Sequence, residues 1–171
     1  MATLKDIVNS VLYRIDEDVT DTDEEILQVV KNGINEGYSV LASTVDQRTK
    51  DLTFTYIKGY VLPDDFVSIV NMSHSYNSNT IDLSIMDYEI IANILYIRAG
   101  DCQNGSLTMK YVFLPTTLTN DTDAISLKSI YVQALIVYAA YSYYVYRKKT
   151  EVASMFLSEF KLLTGGGSNE T

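Results

Sequence analysis

The densest run of chemically capable side chains is acidic: Asp16-Glu17-Asp18-Val19-Thr20-Asp21-Thr22-Asp23-Glu24-Glu25. Carboxylates at alternate positions can ligate a hard cation such as calcium. The run lacks the central glycine and the closing glutamate of an EF-hand loop, and its acids straddle a helix start. Asp23, Glu24 and Glu25 suit a first helical turn, where anions oppose the helix dipole, so a solvated acidic linker and cap is expected. Two other carboxylate pairs, Asp64-Asp65 and Asp121 with Asp123, could do acid–base work if they converged on a substrate. Both fall where turns and helix caps account for them. His74 is the single histidine and lies in a polar stretch ending Ser75-Tyr76-Asn77-Ser78-Asn79, so a loop residue is expected. One histidine builds neither a multi-histidine metal site nor a catalytic histidine pair, and nothing near it supports a Ser-His-Asp arrangement. Cys102, the only cysteine, excludes an internal disulfide and most cysteine metal sites, and reads as a surface thiol in a turn. The glycine cluster Gly165-Gly166-Gly167 has no strand before it and is no phosphate loop. No enzyme, no metal and no cofactor are expected.

With 171 residues, 47% hydrophobic and 20% charged, the chain has the composition of a globular protein with a core of its own. A net charge of −9 opposes nucleic-acid binding, which needs clustered Lys and Arg. Arg147-Lys148-Lys149 is the one basic cluster, and cations at a helix C-terminus or on a solvated face explain it. The first residues, Met1-Ala-Thr-Leu-Lys-Asp, lack a basic region followed by an apolar run, so no secretory signal and a reducing cytoplasm are expected.

The element that organises the rest runs from Ile130 to Tyr146, free of charge, Gly and Pro. Its Ala, Leu and Gln content and its length predict a helix, over about 126–146, with Ser126 or Asp123 as N-cap. Ala134, Tyr138, Tyr141 and Val145 would share one face, with Tyr131, Leu135, Ser142 and Tyr146 on the next. Apolar groups on nearly every side predict burial on nearly every side, part of it against another chain. A membrane span is the competing reading. Gln133, Tyr138, Tyr141 and Ser142 near the middle argue against it, because tyrosine belongs at membrane edges.

Around this helix, a first helix is expected over about 3–15, with Leu4, Ile7, Val8, Val11, Leu12 and Ile15 as its stripe and Thr3 with Asp6 as a capping box. A second, about 22–44, carries Ile26, Val30, Ile34, Tyr38 and Leu41, with Gly33 and Gly37 beside that stripe for close helix approach. The block 49–113 changes to period two. Leu52, Phe54 and Tyr56 mark a strand, which Tyr60–Leu62 would join as a hairpin through Lys58-Gly59. Pro63–Phe66 reads as one helical turn and Val67–Met72 as a short strand. Ile81–Ile91 reads as a strand and then an irregular or helical segment around Asp87-Tyr88-Glu89. Ile94–Arg98 and Leu107–Phe113 form the clearest strand pair, turning at 100–105. A last helix, 150–163, uses Val152, Phe156, Phe160 and Leu163, and residues 164–171 form a flexible tail. The fold class is α+β: a small bundle of N- and C-terminal helices with an antiparallel β-sheet inserted, as one domain over 1–163.

Three features together resemble the head–tail connector (adaptor) proteins of tailed bacteriophages. They are the helix pair near Met1, the step Leu62-Pro63-Asp64-Asp65-Phe66 leading into a strand, and Tyr111–Pro115 with Leu118–Asp123 before a Tyr/Ala-rich helix and a closing amphipathic one. The resemblance covers nearly the whole chain. It implies a structural virion protein in a ring of identical subunits, typically about twelve, joined by heterologous contacts. The ring would sit beneath the portal protein, extend the DNA channel without binding DNA specifically, and offer a platform to the next tail component. Candidate subunit or partner contacts are Tyr131, Tyr138, Tyr141, Tyr144, Arg147, Lys148 and Lys149. Gly165, Gly166, Gly167, Ser168 and Asn169 are candidates for meeting the portal. A soluble adaptor or regulator that binds one protein partner as monomer or dimer is the alternative, though the long tyrosine-rich helix would leave it an unusually apolar surface.

Overall fold

A computed structural model of the chain describes residues 2–17, 22–55, 57, 59–98 and 104–165. Helix α1, Leu4–Arg14, starts at the expected capping box. Thr3 Oγ1 accepts the Asp6 backbone N–H at 3.3 Å, and the Asp6 carboxylate accepts the Thr3 N–H at 2.9 Å. These bonds from Thr3 hold the Asp6 carboxyl below its usual range. All six residues of the α1 stripe are buried. Helix α2, Glu24–Thr44, is capped by Asp23, whose side chain accepts the Glu25 N–H at 2.9 Å.

Helix α3, Ser129–Tyr146, begins later than the sequence predicts, and neither Ser126 nor Asp123 caps it. The Asp123 carboxylate accepts the backbone N–H groups of Asn120 and Thr119, each at 2.8 Å, and these bonds hold its carboxyl below the usual range. The start of α3 is tied instead to Asp46, a buried carboxylate just beyond α2. It accepts the Lys128 N–H at 3.0 Å and lies 3.3 Å from the Lys128 ammonium. Helix α4, Thr150–Leu163, matches its expected bounds.

These helices and their connections form one unit, Met1–Asp46 with Pro115–Thr171, around a single core. The middle of α3, from Ala134 to Ala140, is its axis, with Ala134, Leu135, Val137, Tyr138, Ala139 and Ala140 buried. Gly33 and Gly37 let α2 approach. A Cβ at Gly33 would stand 2.9 Å from Ser142 Cβ and 3.3 Å from Ala139 Cα, and one at Gly37 would stand 2.8 Å from the Tyr138 ring. On the α4 side, Phe160 meets Tyr138 edge-on at 5.1 Å and Phe156 stacks on Tyr144 at 5.4 Å. The loop before α3 is bound to α2, because the Asn35 side chain accepts the Leu118 N–H at 2.7 Å and donates to the Leu118 carbonyl at 3.0 Å. Among the described residues no helix is long and apolar enough to cross a membrane.

The second unit, Gln47–Leu114, holds two antiparallel sheets that share one core. Its strands are β1 (Thr49–Thr55), β2 (Gly59–Val61), β3 (Phe66–Tyr76), β4 (Asn79–Asp82), β5 (Tyr88–Ile91), β6 (Ile94–Ile97) and β7 (Ser106–Phe113). One sheet runs β1-β7-β3-β4 and the other β2-β6-β5. Terminal helices with antiparallel strands between them give the expected α+β class. The pairings differ from the sequence reading. β2 does not fold back on β1 but pairs with β6, and β6 and β7 lie in different sheets. Alternation marks a strand without naming its neighbour. Tyr88 and Glu89 lie in a strand, not a helical segment, and Pro63–Phe66 makes only a turn, with the Phe66 N–H bonded to the Pro63 carbonyl at 3.0 Å. The turn expected around Cys102 lies largely outside the described residues.

His74 is not a loop residue. It lies in β3, 5% exposed, opposite Leu107. Its Nε2 lies 2.5 Å from the Asn104 carbonyl, which can only accept, so Nε2 carries the proton. Beside it Gly105 has φ +101°, and a Cβ there would fall 2.3 Å from the Ser75 carbonyl oxygen, so only glycine fits. A strand of Ser, Asn and His reads as loop from composition, and burial of its alternate residues overrides that.

Candidate functional site

Of the Asp64-Asp65 pair, Asp65 is engaged within the β unit. Asp65 lies 2.5 Å from the Lys50 ammonium and accepts the Tyr111 hydroxyl at 3.1 Å. The Lys50 bond leads in holding its carboxyl below the usual range, and burial and Asp65 together push the Tyr111 phenol up. Asp65 is therefore a structural anchor within the β unit.

In the helical unit, polar chemistry gathers where α3 ends. Here tyrosine hydroxyls meet the acidic stretch that the sequence reading left to solvent. Tyr143 donates to Glu17 Oε1 at 2.6 Å, and Tyr146 donates to Glu25. Earlier in α3, Glu36 accepts from Ser142 at 3.3 Å and lies near enough to Tyr138 to act on its phenol. These carboxylates brace α3 rather than converge on a cation. Among the described residues no group of three or more His, Cys, Asp or Glu could hold a metal ion. Residues 18–21 of the acidic run lie outside the described residues.

Burial, and then the Glu17 bond, pushes the Tyr143 phenol up to about 12. Burial followed by Glu36 raises Tyr138 further, and the Glu25 bond is the leading cause of a rise at Tyr146. Unfolded tyrosine titrates near about 10. A folded-state value raised above that stabilises fully at lower pH and is lost as pH rises through the folded value. The protein is therefore expected to lose thermal stability steeply between about pH 10 and 12, by circular dichroism. Tyr143→Phe should flatten part of that loss, and an unchanged midpoint across the range would contradict the bracing.

The join between α3 and α4 is a helix break, a point the sequence left open. The Lys149 N–H bonds back to the Tyr144 carbonyl at 2.9 Å and the Lys148 N–H to the Val145 carbonyl at 3.0 Å. With Lys148 at φ +55°, this is a Schellman stop with lysine where glycine is usual. The left-handed conformation costs a side-chain-bearing residue about 1 kcal/mol or more. Lys148→Gly is therefore expected to stabilise the chain by about 1 kcal/mol in urea denaturation. A loss of stability would show that the Lys148 side chain contributes to the fold.

Of the sequence-derived contact residues, Arg147, Lys148 and Lys149 are exposed, and Tyr131, Tyr141 and Tyr144 are half-buried. Tyr138 lies in the core between Gly37, Tyr141 and Phe160, covered by its own chain. Gly165 ends the described chain just after α4, while Gly166, Gly167, Ser168 and Asn169 lie outside the described residues. Sequence reasoning missed Asp46 and Glu36, and the tyrosine partners of Glu17 and Glu25, because all these contacts join residues far apart in the chain. A groove of about 510 Å³ on the helical unit is lined by Asn9, Ser10, Tyr13, Arg14, Gln133 and Ile136. Its one cation among the described lining residues, Arg14, is bound by Glu159 at 2.5 Å.

The arrangement is one of packing, bracing and an exposed cationic elbow. No curated protein matches the chain. The family model described as "SU10 adaptor protein" matches residues 2–166, through both units. The chain belongs to this phage adaptor family, the family its sequence resembles.

Proposed function

We propose that this adaptor is a structural virion protein of the head–tail junction. Identical subunits form a ring, typically of about twelve, through heterologous contacts. The ring docks beneath the portal protein, extends the DNA channel and gives the next tail component a platform. Assembly takes place in the host cytoplasm, and the protein catalyses no reaction. The observation that carries this reading is the family match over 2–166, which leaves neither unit outside the adaptor framework. We take 1–163 to act as one connector domain on the same ground.

The surface of the helical unit supports it. Both ends of α3 offer apolar side chains, with Ile130 67% and Val145 50% exposed, beside the half-buried Tyr131, Tyr141 and Tyr144. Aromatic and arginine side chains are the groups most enriched where proteins meet. Gly165, Gly166, Gly167, Ser168 and Asn169 are the residues that meet the portal in this reading. A chain of net charge −9 suits a channel through which DNA slides without adhering.

Electron microscopy of the portal from the same genome, with and without this protein, tests the reading. An added annular layer on one end of the portal is expected. Portal particles that remain bare at saturating protein would overturn it.

A further inference from the structure

Among the described residues five cations have carboxylate partners: Arg14, Lys31, Lys50, Arg98 and Lys128. Arg147, Lys148 and Lys149, like Lys5, Arg48, Lys110 and Lys161, are not among them, and these three stand side by side in the chain. All three are exposed at the α3–α4 elbow, and none lies within 4.0 Å of a carboxylate of a described residue. Two of them lie beside tyrosine rings, and the carboxylates at this end of α3, Glu17 and Glu25, accept from the Tyr143 and Tyr146 hydroxyls. The Arg147 guanidinium lies 5.9 Å from the Tyr143 ring centroid, and the Lys149 ammonium lies 5.9 Å from that of Tyr144. Those rings orient the two cations without neutralising them. Lys148 occupies a left-handed position where glycine would be more stable, so the chain keeps a charge there at a cost to its fold. Val145 and Tyr146, 50% and 44% exposed, adjoin the cations and complete a mixed apolar and cationic corner.

Resting on the ring reading, we infer that this elbow docks on a carboxylate-bearing face of a second copy of the chain. Charge complementarity selects the occupant: each copy carries 22 acidic against 13 basic residues, so its surface is rich in carboxylates for the elbow to meet. A basic corner meeting a different, acidic face is a heterologous contact, the kind that closes a ring. Nucleic acid is the weaker match, because three cations neutralise too few phosphates to hold DNA at physiological salt.

The test is sedimentation of the full-length protein over a dilution series, alone and on the portal from the same genome. Arg147→Gln, Lys148→Gln and Lys149→Gln together should weaken association about 10-fold or more at low salt. The unaltered protein should fall toward the same value at about 0.5 M salt, while the triple variant changes little. Lys148→Gly separates contact from fold: it should melt higher than the unaltered protein and still associate more weakly. Equal association and equal salt dependence for parent and triple variant would overturn the elbow contact and leave the ring standing. An unaltered chain that never self-associates, alone or on the portal, would overturn both. Unchanged assembly with loss of binding to duplex DNA would overturn the contact and assign the elbow to nucleic acid.

Discussion

Tyr138→Asp is expected to yield no folded protein at room temperature, read as loss of the far-ultraviolet helix signal and of soluble yield. Removing a buried aromatic side chain costs about 3–5 kcal/mol before any charge is considered. The new carboxylate would also sit among Leu135, Phe160 and the α2 backbone near Gly37, close to Glu36, with no cation to pair with. Burying an unpaired charge adds several kcal/mol more. Against a total stability of about 5–15 kcal/mol, the sum removes the native state. Tyr138→Phe keeps the ring contacts and loses only the hydroxyl near Glu36, so a cost of about 1 kcal/mol is expected. Tyr141 is half-buried, and Tyr141→Asp should be the milder of the two aspartates. Normal yield and unchanged assembly for both would remove the idea that α3 is a buried axis.

The second large effect belongs to the α2–α3 contact. Gly33→Val should lower the unfolding free energy by about 2–3 kcal/mol, with the urea m-value unchanged. The added Cβ would meet Ser142 Cβ at 2.9 Å and Ala139 Cα at 3.3 Å. Two of the nearest atoms belong to the Ala139 backbone, so relief requires the helices to separate. Gly33→Ala meets the same atoms with less bulk and recovers about 1 kcal/mol of helix propensity, so its net cost should be smaller. A valine variant as stable as the parent would show that the two helices are not held by close backbone approach.

The helices were legible in the sequence because their stripes recur at helical spacing. Every residue of the Leu4–Ile15 stripe is buried, and Gly33 and Gly37 mark the helix contact they suggested. The start of α3 was less legible. Ser126 and Asp123 are good caps by type, yet Asp123 is engaged by Thr119 and Asn120, and the anchor is Asp46, 82 positions away. Strand identity was legible where apolar alternation was strong, as in β7. Strand pairing was not, because β2 could satisfy its edge on β1 or on β6 and local sequence does not choose between them. His74 misled for a related reason: its sequence neighbours are polar, and only the strands on either side, with Leu107 and Ile81 opposite it, make the position an interior one. The acidic run showed its charge but not its partners, since Tyr143 lies 126 positions from Glu17. The break at Lys148 carried no glycine to announce it.

Most of the contact surface that the sequence assigned to α3 is divided by the structure into two roles. The middle of the helix, Tyr138 included, belongs to the core of its own chain. The ends of the helix and the cationic elbow are exposed among the described residues, and that division makes the ring reading testable without disturbing the fold.

The most direct test is the native mass of the purified protein, alone and mixed with the portal from the same genome. A closed ring, or a monomer that becomes a ring only on the portal, is the predicted result. A stable dimer indifferent to the portal would contradict it.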